Sequence, residues 1–306
     1  MTLLLIEKIF SLFLILFLGA VIVKVGVLKS EDSKVLSAIV LYIATPCAII
    51  TSFEVDVTDE VVSGLLMAFS AALAIHAILL LLTIPMRKVL KMDSVEILSV
   101  IYSNAANLII PIVSAVLGSE WVVYSCAYVS VQLFFLWSHA KSTIREEKGI
   151  DIKKILLNVN MISVFLGIII FLTGFRFPGP LQDTMESLSS MIGPTAMLVT
   201  GMIIGSKPLK NMLIYKRLPL IVALRLIVVP LIVLSIIKFT NVASLIPEGE
   251  TVLLITLLAT TTPSASTITQ MSVVYEKDAD YAGAINVFTT LGCIITMPII
   301  VALYRI

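Results

Sequence analysis

The chain has 306 residues, 59% hydrophobic and 13% charged, with a formal net charge of +1 and a mean hydropathy of +1.09. Soluble domains are roughly half apolar and a quarter charged, so this composition marks an integral membrane protein. No basic run points to a nucleic-acid partner, and no Cys or His spacing suggests a metal or redox centre.

Apolar stretches of about 20 residues, long enough to cross a hydrocarbon core, recur ten times. They fall at about 3–27, 33–53, 61–85, 95–117, 120–140, 155–174, 182–205, 215–237, 251–272 and 279–304. The first carries Glu7 and Lys8 near its start and has no basic leader, so it reads as a retained helix. The three cysteines, Cys47, Cys126 and Cys293, all sit in apolar spans, where they act as small hydrophobes. The expected architecture is all-α. Residues 1–140 form a first five-helix unit, 141–154 a short cytoplasmic loop, and 155–306 a second five-helix unit.

Basic residues set the orientation. Of the 21 Lys and Arg, 16 fall in the loops on one side of the ten spans. Four (Lys8, Arg176, Lys238 and Arg305) fall on the other, and Arg225 lies inside a span. Both termini are therefore expected outside and the central loop inside, in a multi-pass protein of the cell membrane.

The two halves match. Pro46 and Pro194 interrupt the second and seventh spans 148 residues apart; Pro111 and Pro263 interrupt the fourth and ninth 152 apart. Five spans per repeat is an odd number, so the second repeat enters the membrane inverted. Interrupted helices at matching places in inverted repeats mark a transporter's binding site near the midplane.

In the fourth span, Asn104 and Asn107 precede Pro111, which leaves the Asn107 carbonyl without its helical donor. The two carboxamides could hold a carboxylate, or serve as interhelical glue. In the ninth span, seven of the ten residues Thr260–Thr269 are Ser or Thr, around Pro263. Thr262, Ser264, Ser266 and Thr267 are candidates to line a cavity; hydroxyls that satisfy carbonyls freed by the proline are the simpler reading. The half-helix after the break would present N–H groups to an anion.

Arg225 lies about ten residues into the eighth span, on the order of 15 Å deep. It is expected to counter an anionic substrate, or else to tie helix-end carbonyls or Glu7. Gln132 and Asn286, 154 residues apart, are candidate repeat partners near the site. His76 reads as a packing residue, His139 as interfacial, and Pro46 and Pro194 as scaffold kinks. The broken spans are read as free of acidic residues, so no carboxylate-rich sodium site is expected. No catalytic set, ATP-binding loop, metal site or cofactor motif is present in the sequence.

At these residues the chain resembles the auxin efflux carrier family, whose best-known members are the plant PIN carriers. The family pattern in the fourth span is Asn-x-Gly-x-x-Gly-x-Pro. Asn104 and Pro111 keep its spacing, while Ala106 or Asn107, and Ile109, stand where glycines are usual. Pro263, Tyr275, Asp280 and Pro298 continue the likeness. The resemblance implies a scaffold from spans 1, 2, 6 and 7, and a mobile transport domain from spans 3–5 and 8–10. It also implies a crossing of the broken helices 4 and 9, with Asn104 at the substrate's carboxylate. Members move auxin in plants and small carboxylates such as malate in bacteria. The short central loop fits a microbial-type permease.

The expected function is secondary transport of a small organic anion by elevator-type alternating access. A sodium-coupled symporter of the bile-acid type is the alternative, and a membrane receptor is a third reading that lacks a signalling domain. The expected partners are the anion and the lipid bilayer. The oligomeric state, a homodimer included, is left open, as are substrate identity, direction of flux and coupling ion.

Overall fold

The computed structural model describes residues 2–145, 153, 156–206 and 212–306, so the central loop 141–154 lies largely outside the described residues. Among the described residues the regular structure is helical, save for one isolated antiparallel bridge between Ser103 and Ser264. In chain order the helices are α1 (Thr2–Lys24), α2 (Ser30–Ser52), α3 (Asp59–Lys88), α4 (Ser94–Ile101), α5 (Ala105–Val116) and α6 (Ser119–Arg145). The second half adds α7 (Val159–Thr173), α8 (Gly179–Gly205), α9 (Leu218–Thr240), α10 (Gly249–Thr261), α11 (Ser266–Val274) and α12 (Ala279–Arg305).

Six helices, α2, α3, α6, α8, α9 and α12, are long and apolar enough to cross a membrane alone. The other expected spans are shorter apolar helices: Phe10–Lys24 in α1, α7 itself, Asn107–Val116 in α5, and α10. The last two belong to the broken pairs α4/α5 and α10/α11.

Local chemistry explains many of the boundaries. Thr58 caps α3 through the Val61 N–H, with Asp59 and Glu60 in the first turn and Arg87 and Lys88 in the last. Those charges oppose the helix dipole at both ends. Asp93 and Glu96 form a reciprocal capping box at the start of α4. Two of the prolines follow a locally widened turn. The carbonyl four residues before Pro46 is Tyr42, inside a π-turn at Val40–Ala44. Before Pro230 it is Leu226, inside a π-turn at Leu224–Val228. In α8 the interruption falls at Met191, and Pro194 sits in the first turn of the segment that follows.

Packing depends on small residues where backbones meet. α1 lies along α8, and a Cβ added at Gly201 or Gly205 would strike the α1 carbonyls of Leu16 and Ala20. This is the GxxxG device of membrane helices, in which the absence of a side chain lets two backbones touch. α2 packs on α7 and α8; α3 packs on α6 and α10; α12 packs on α9, α10 and α11.

Polar contacts tie loops together at each end of the helices. Arg176 pairs with Asp56 at 2.7 Å, which puts the loops after α2 and α7 on one side. At the other end, Arg217 donates to the carbonyls of Leu90 (2.7 Å) and Lys91 (3.3 Å).

Candidate functional site at the helix crossing

The chain leaves helical geometry at Tyr102, whose φ/ψ of −91°/122° is extended, and resumes at Ala105. It leaves again at Thr262, at −65°/157°, and resumes at Ser266. The two extended stretches pair with each other. The Asn104 N–H donates to the Pro263 carbonyl at 2.8 Å, and the Ala265 N–H donates to the Tyr102 carbonyl at 2.9 Å. Each break thus satisfies the other's backbone groups, which hydrocarbon would leave unpaired.

Pro263 stands at its break as expected; Pro111 does not. Pro111 lies inside α5, seven residues beyond the first interruption, and the helix runs through it. Tertiary pairing across the crossing, and not a missing amide, opens the fourth span.

A carboxamide clamps each extended strand. Gln132 Oε1 accepts from Ser103 N–H (3.3 Å) and Ser103 Oγ (2.6 Å), while its Nε2 donates to the Ser103 carbonyl at 2.8 Å. On the other strand Asn286 Nδ2 donates to the Ser264 carbonyl at 2.7 Å, and Thr289 Oγ1 accepts the Ser264 N–H at 3.1 Å. Gln132 and Asn286 therefore hold equivalent positions on the two strands. Ser103 and Thr289 were not singled out in the sequence; the clamp spacing only becomes visible once the strands are paired.

The crossing brings four helix ends together, sorted by sign. The two negative ends, the C-termini of α4 and α10, converge on Arg225. Its Nε donates to Thr262 O (3.1 Å), Nη1 to Val100 O (3.0 Å) and Ile101 O (3.5 Å), and Nη2 to Thr260 O (2.7 Å) and Thr262 O (2.8 Å). All five donors are engaged and the residue is fully buried. Each helix end carries roughly half a negative charge, so two of them balance one guanidinium. Arg225 consequently has no donor left for a substrate, and the structure assigns it to helix-end carbonyls instead. The π-turn at Leu224–Val228 puts it in place.

The two positive ends, the N-termini of α5 and α11, converge on Asn104, Asn107 and Ser266. Asn107 Nδ2 donates to Asn104 Oδ1 (2.9 Å) and to Ser266 Oγ (3.2 Å); Ser266 Oγ also donates to Asn104 Oδ1 at 3.4 Å. The first N–H groups of both helices have no intrahelical acceptor. Asn107 is exposed and Ser266 half-buried. Asn104, Asn107, Pro111 and Ser114 share one face of α5 by helical spacing. Further along that face, Pro111 and Ser114 line a cavity of about 310 Å³, together with Ser11 of α1, Ala48 of α2, and Ser190 and Pro194 of α8.

The other candidates divide. Thr262 and Ser264 are buried, and the hydroxyls of Thr260, Thr261 and Thr262 donate back to Leu257, Leu258 and Ala259 carbonyls. Those three hydroxyls are satisfied within the helix and line nothing. Thr267 is half-buried in the first turn of α11. His76 stacks on Phe135 and tilts against Tyr128, as a packing residue does. Glu96 corrects the reading of acid-free broken spans. It is buried in the first turn of α4, 3.0 Å from Arg217 Nε, and accepts from Tyr281 Oη at 3.0 Å. Placed at the start of α4 and engaged by these partners, it lies away from the crossing.

The family profile described as Membrane transport protein matches residues 4–301, nearly the whole chain. The chain belongs to the auxin efflux carrier family. Comparison with curated proteins returned no match. As a family member the carrier is a membrane transport protein.

Proposed function

We propose that the carrier is a secondary transporter of a small organic anion, a carboxylate such as malate or an auxin-like acid. The observation that carries this reading is the convergence of two helix N-termini on Asn104, Asn107 and Ser266. Two such ends together present roughly one positive charge to a ligand. Asn104 Nδ2 makes no hydrogen bond among the described residues and is free to donate to a carboxylate.

In this reading the chain crosses the cell membrane ten times, as two inverted five-helix repeats with both termini outside. α1, α2, α7 and α8 form the scaffold, and the remaining helices form a transport domain that carries the crossing between the two sides. The matched clamps on Ser103 and Ser264, and the cavity between α5 and the scaffold helices, support that division.

The test is counterflow of labelled carboxylates in liposomes containing the purified carrier. Exchange of a labelled dicarboxylate or indole acid supports the proposal. Exchange of none, with organic cations or neutral solutes moving instead, rejects it.

A further inference from the structure

Interrupted membrane helices commonly place free cations at their negative ends, where unwound carbonyls and C-termini replace water. In this protein those ends belong to α4 and α10, and their carbonyls face one fully buried guanidinium. Val100, Ile101, Thr260 and Thr262 supply four oxygens from two helices, all within 3.5 Å of Arg225 nitrogens. Thr261, another carbonyl of that terminus, accepts from Cys293 Sγ at 3.3 Å. Arg225 makes no ion pair among the described residues, so its charge is balanced by the carbonyl dipoles alone. A cluster of helix-end carbonyls around a single buried cation is a cation site in all but the covalent tether.

We propose that Arg225 is a tethered cation filling a monovalent-cation site built from the C-terminal carbonyls of α4 and α10. Removing the guanidinium opens that site to a free cation. The inference deepens the transport reading by assigning the crossing's cation to the protein itself, so no free ion has to enter there during the cycle.

Thermal unfolding of purified carrier in detergent tests this without any substrate. Wild type should melt at the same temperature in sodium, potassium, millimolar guanidinium or N-methylglucamine chloride at equal ionic strength. Arg225→Ala should melt lower in N-methylglucamine, and recover in a saturable way with guanidinium or sodium. Arg225→Lys should be less stable than wild type and indifferent to added cations, because the tether still carries charge. Equal melting of Arg225→Ala in all four salts overturns the proposal, as does selective stabilisation of wild type by sodium.

If Arg225→Ala and Arg225→Gln both fail to accumulate, expression with and without millimolar guanidinium in the medium decides. Recovery of folded protein supports the site, and no recovery counts against it. Uptake assays then separate the two ideas. Cation rescue of Arg225→Ala folding with no carboxylate exchange by wild type upholds this site and rejects the substrate proposal; carboxylate exchange by wild type without cation rescue of the variant rejects the site alone.

Discussion

Ser103 and Ser264 face each other as an antiparallel bridge among otherwise helical described residues, and each is held by a carboxamide, Gln132 of α6 and Asn286 of α12. The pairing satisfies backbone groups that two interrupted helices expose. It also sorts four helix ends into a negative pair around Arg225 and a positive pair around Asn104. On the proposed reading, the positive pair binds the substrate and the negative pair stabilises the crossing.

The two clamps differ in strength, and that difference can be measured. Gln132 makes three hydrogen bonds to Ser103, whereas Asn286 makes one to Ser264, with Thr289 supplying another. A buried polar group left unsatisfied costs about 1–3 kcal/mol. Gln132→Leu should therefore lower the melting temperature more than Asn286→Leu, which leaves the Thr289 contact in place. Equal losses, or a larger loss for Asn286→Leu, would contradict the clamp assignment.

Backbone contact between α1 and α8 yields a second expectation. Gly201→Leu inserts a side chain where the Leu16 carbonyl already lies. Overpacking of this kind costs about 1–3 kcal/mol in cores that can shift, and more where backbone is struck. Folded yield should fall steeply by fluorescence size-exclusion, while Gly179→Ala, in the first turn of α8 with open space around it, should have a mild effect. Comparable yields for both would remove close packing as the reason for Gly201.

Orientation is checked by labelling. In a background without the native cysteines, Asp56→Cys should react with an impermeant maleimide in intact cells, and Lys216→Cys only after permeabilisation. Both side chains are exposed, so access and not burial controls the outcome. Reaction of both from outside would refute the outward-termini arrangement.

How much of this was legible beforehand depends on whether the cause was local. Pro263 marks its break because a missing amide is written in the sequence. The break at Tyr102 has no such mark. Its extended backbone is held by Pro263, Ala265 and Gln132, partners that lie far away in sequence. Pro111, the visible candidate, is instead carried inside α5. Arg225's depth could be counted, but whether its donors met a ligand or carbonyls required the positions of two other helix ends. Glu96 sits at a span boundary, where an acid reads as solvated, and it is capping with Asp93 and pairing with Arg217 that let it be buried.

The sharpest expectation concerns Asn104. Its Oδ1 accepts from Asn107 and Ser266, and its Nδ2 is the donor left for a carboxylate. Asn104→Ala removes both functions; a lost hydrogen bond to a charged ligand costs about 1.5–3 kcal/mol, roughly tenfold or more in affinity. Asn104→Asp is more discriminating. It retains oxygens for Asn107 and Ser266, so the crossing should stay folded, but it sets a negative charge against the anion. Carboxylate uptake should therefore fall below that of Asn104→Ala at neutral pH. As pH drops and the introduced acid takes up a proton, repulsion disappears and uptake should rise toward wild type, while Asn104→Ala shows no such recovery. Initial rates in liposomes, normalised to reconstituted protein, provide the measurement. If Asp and Ala variants transport as well as wild type, Asn104 only joins α5 to α11, and the anion binds elsewhere.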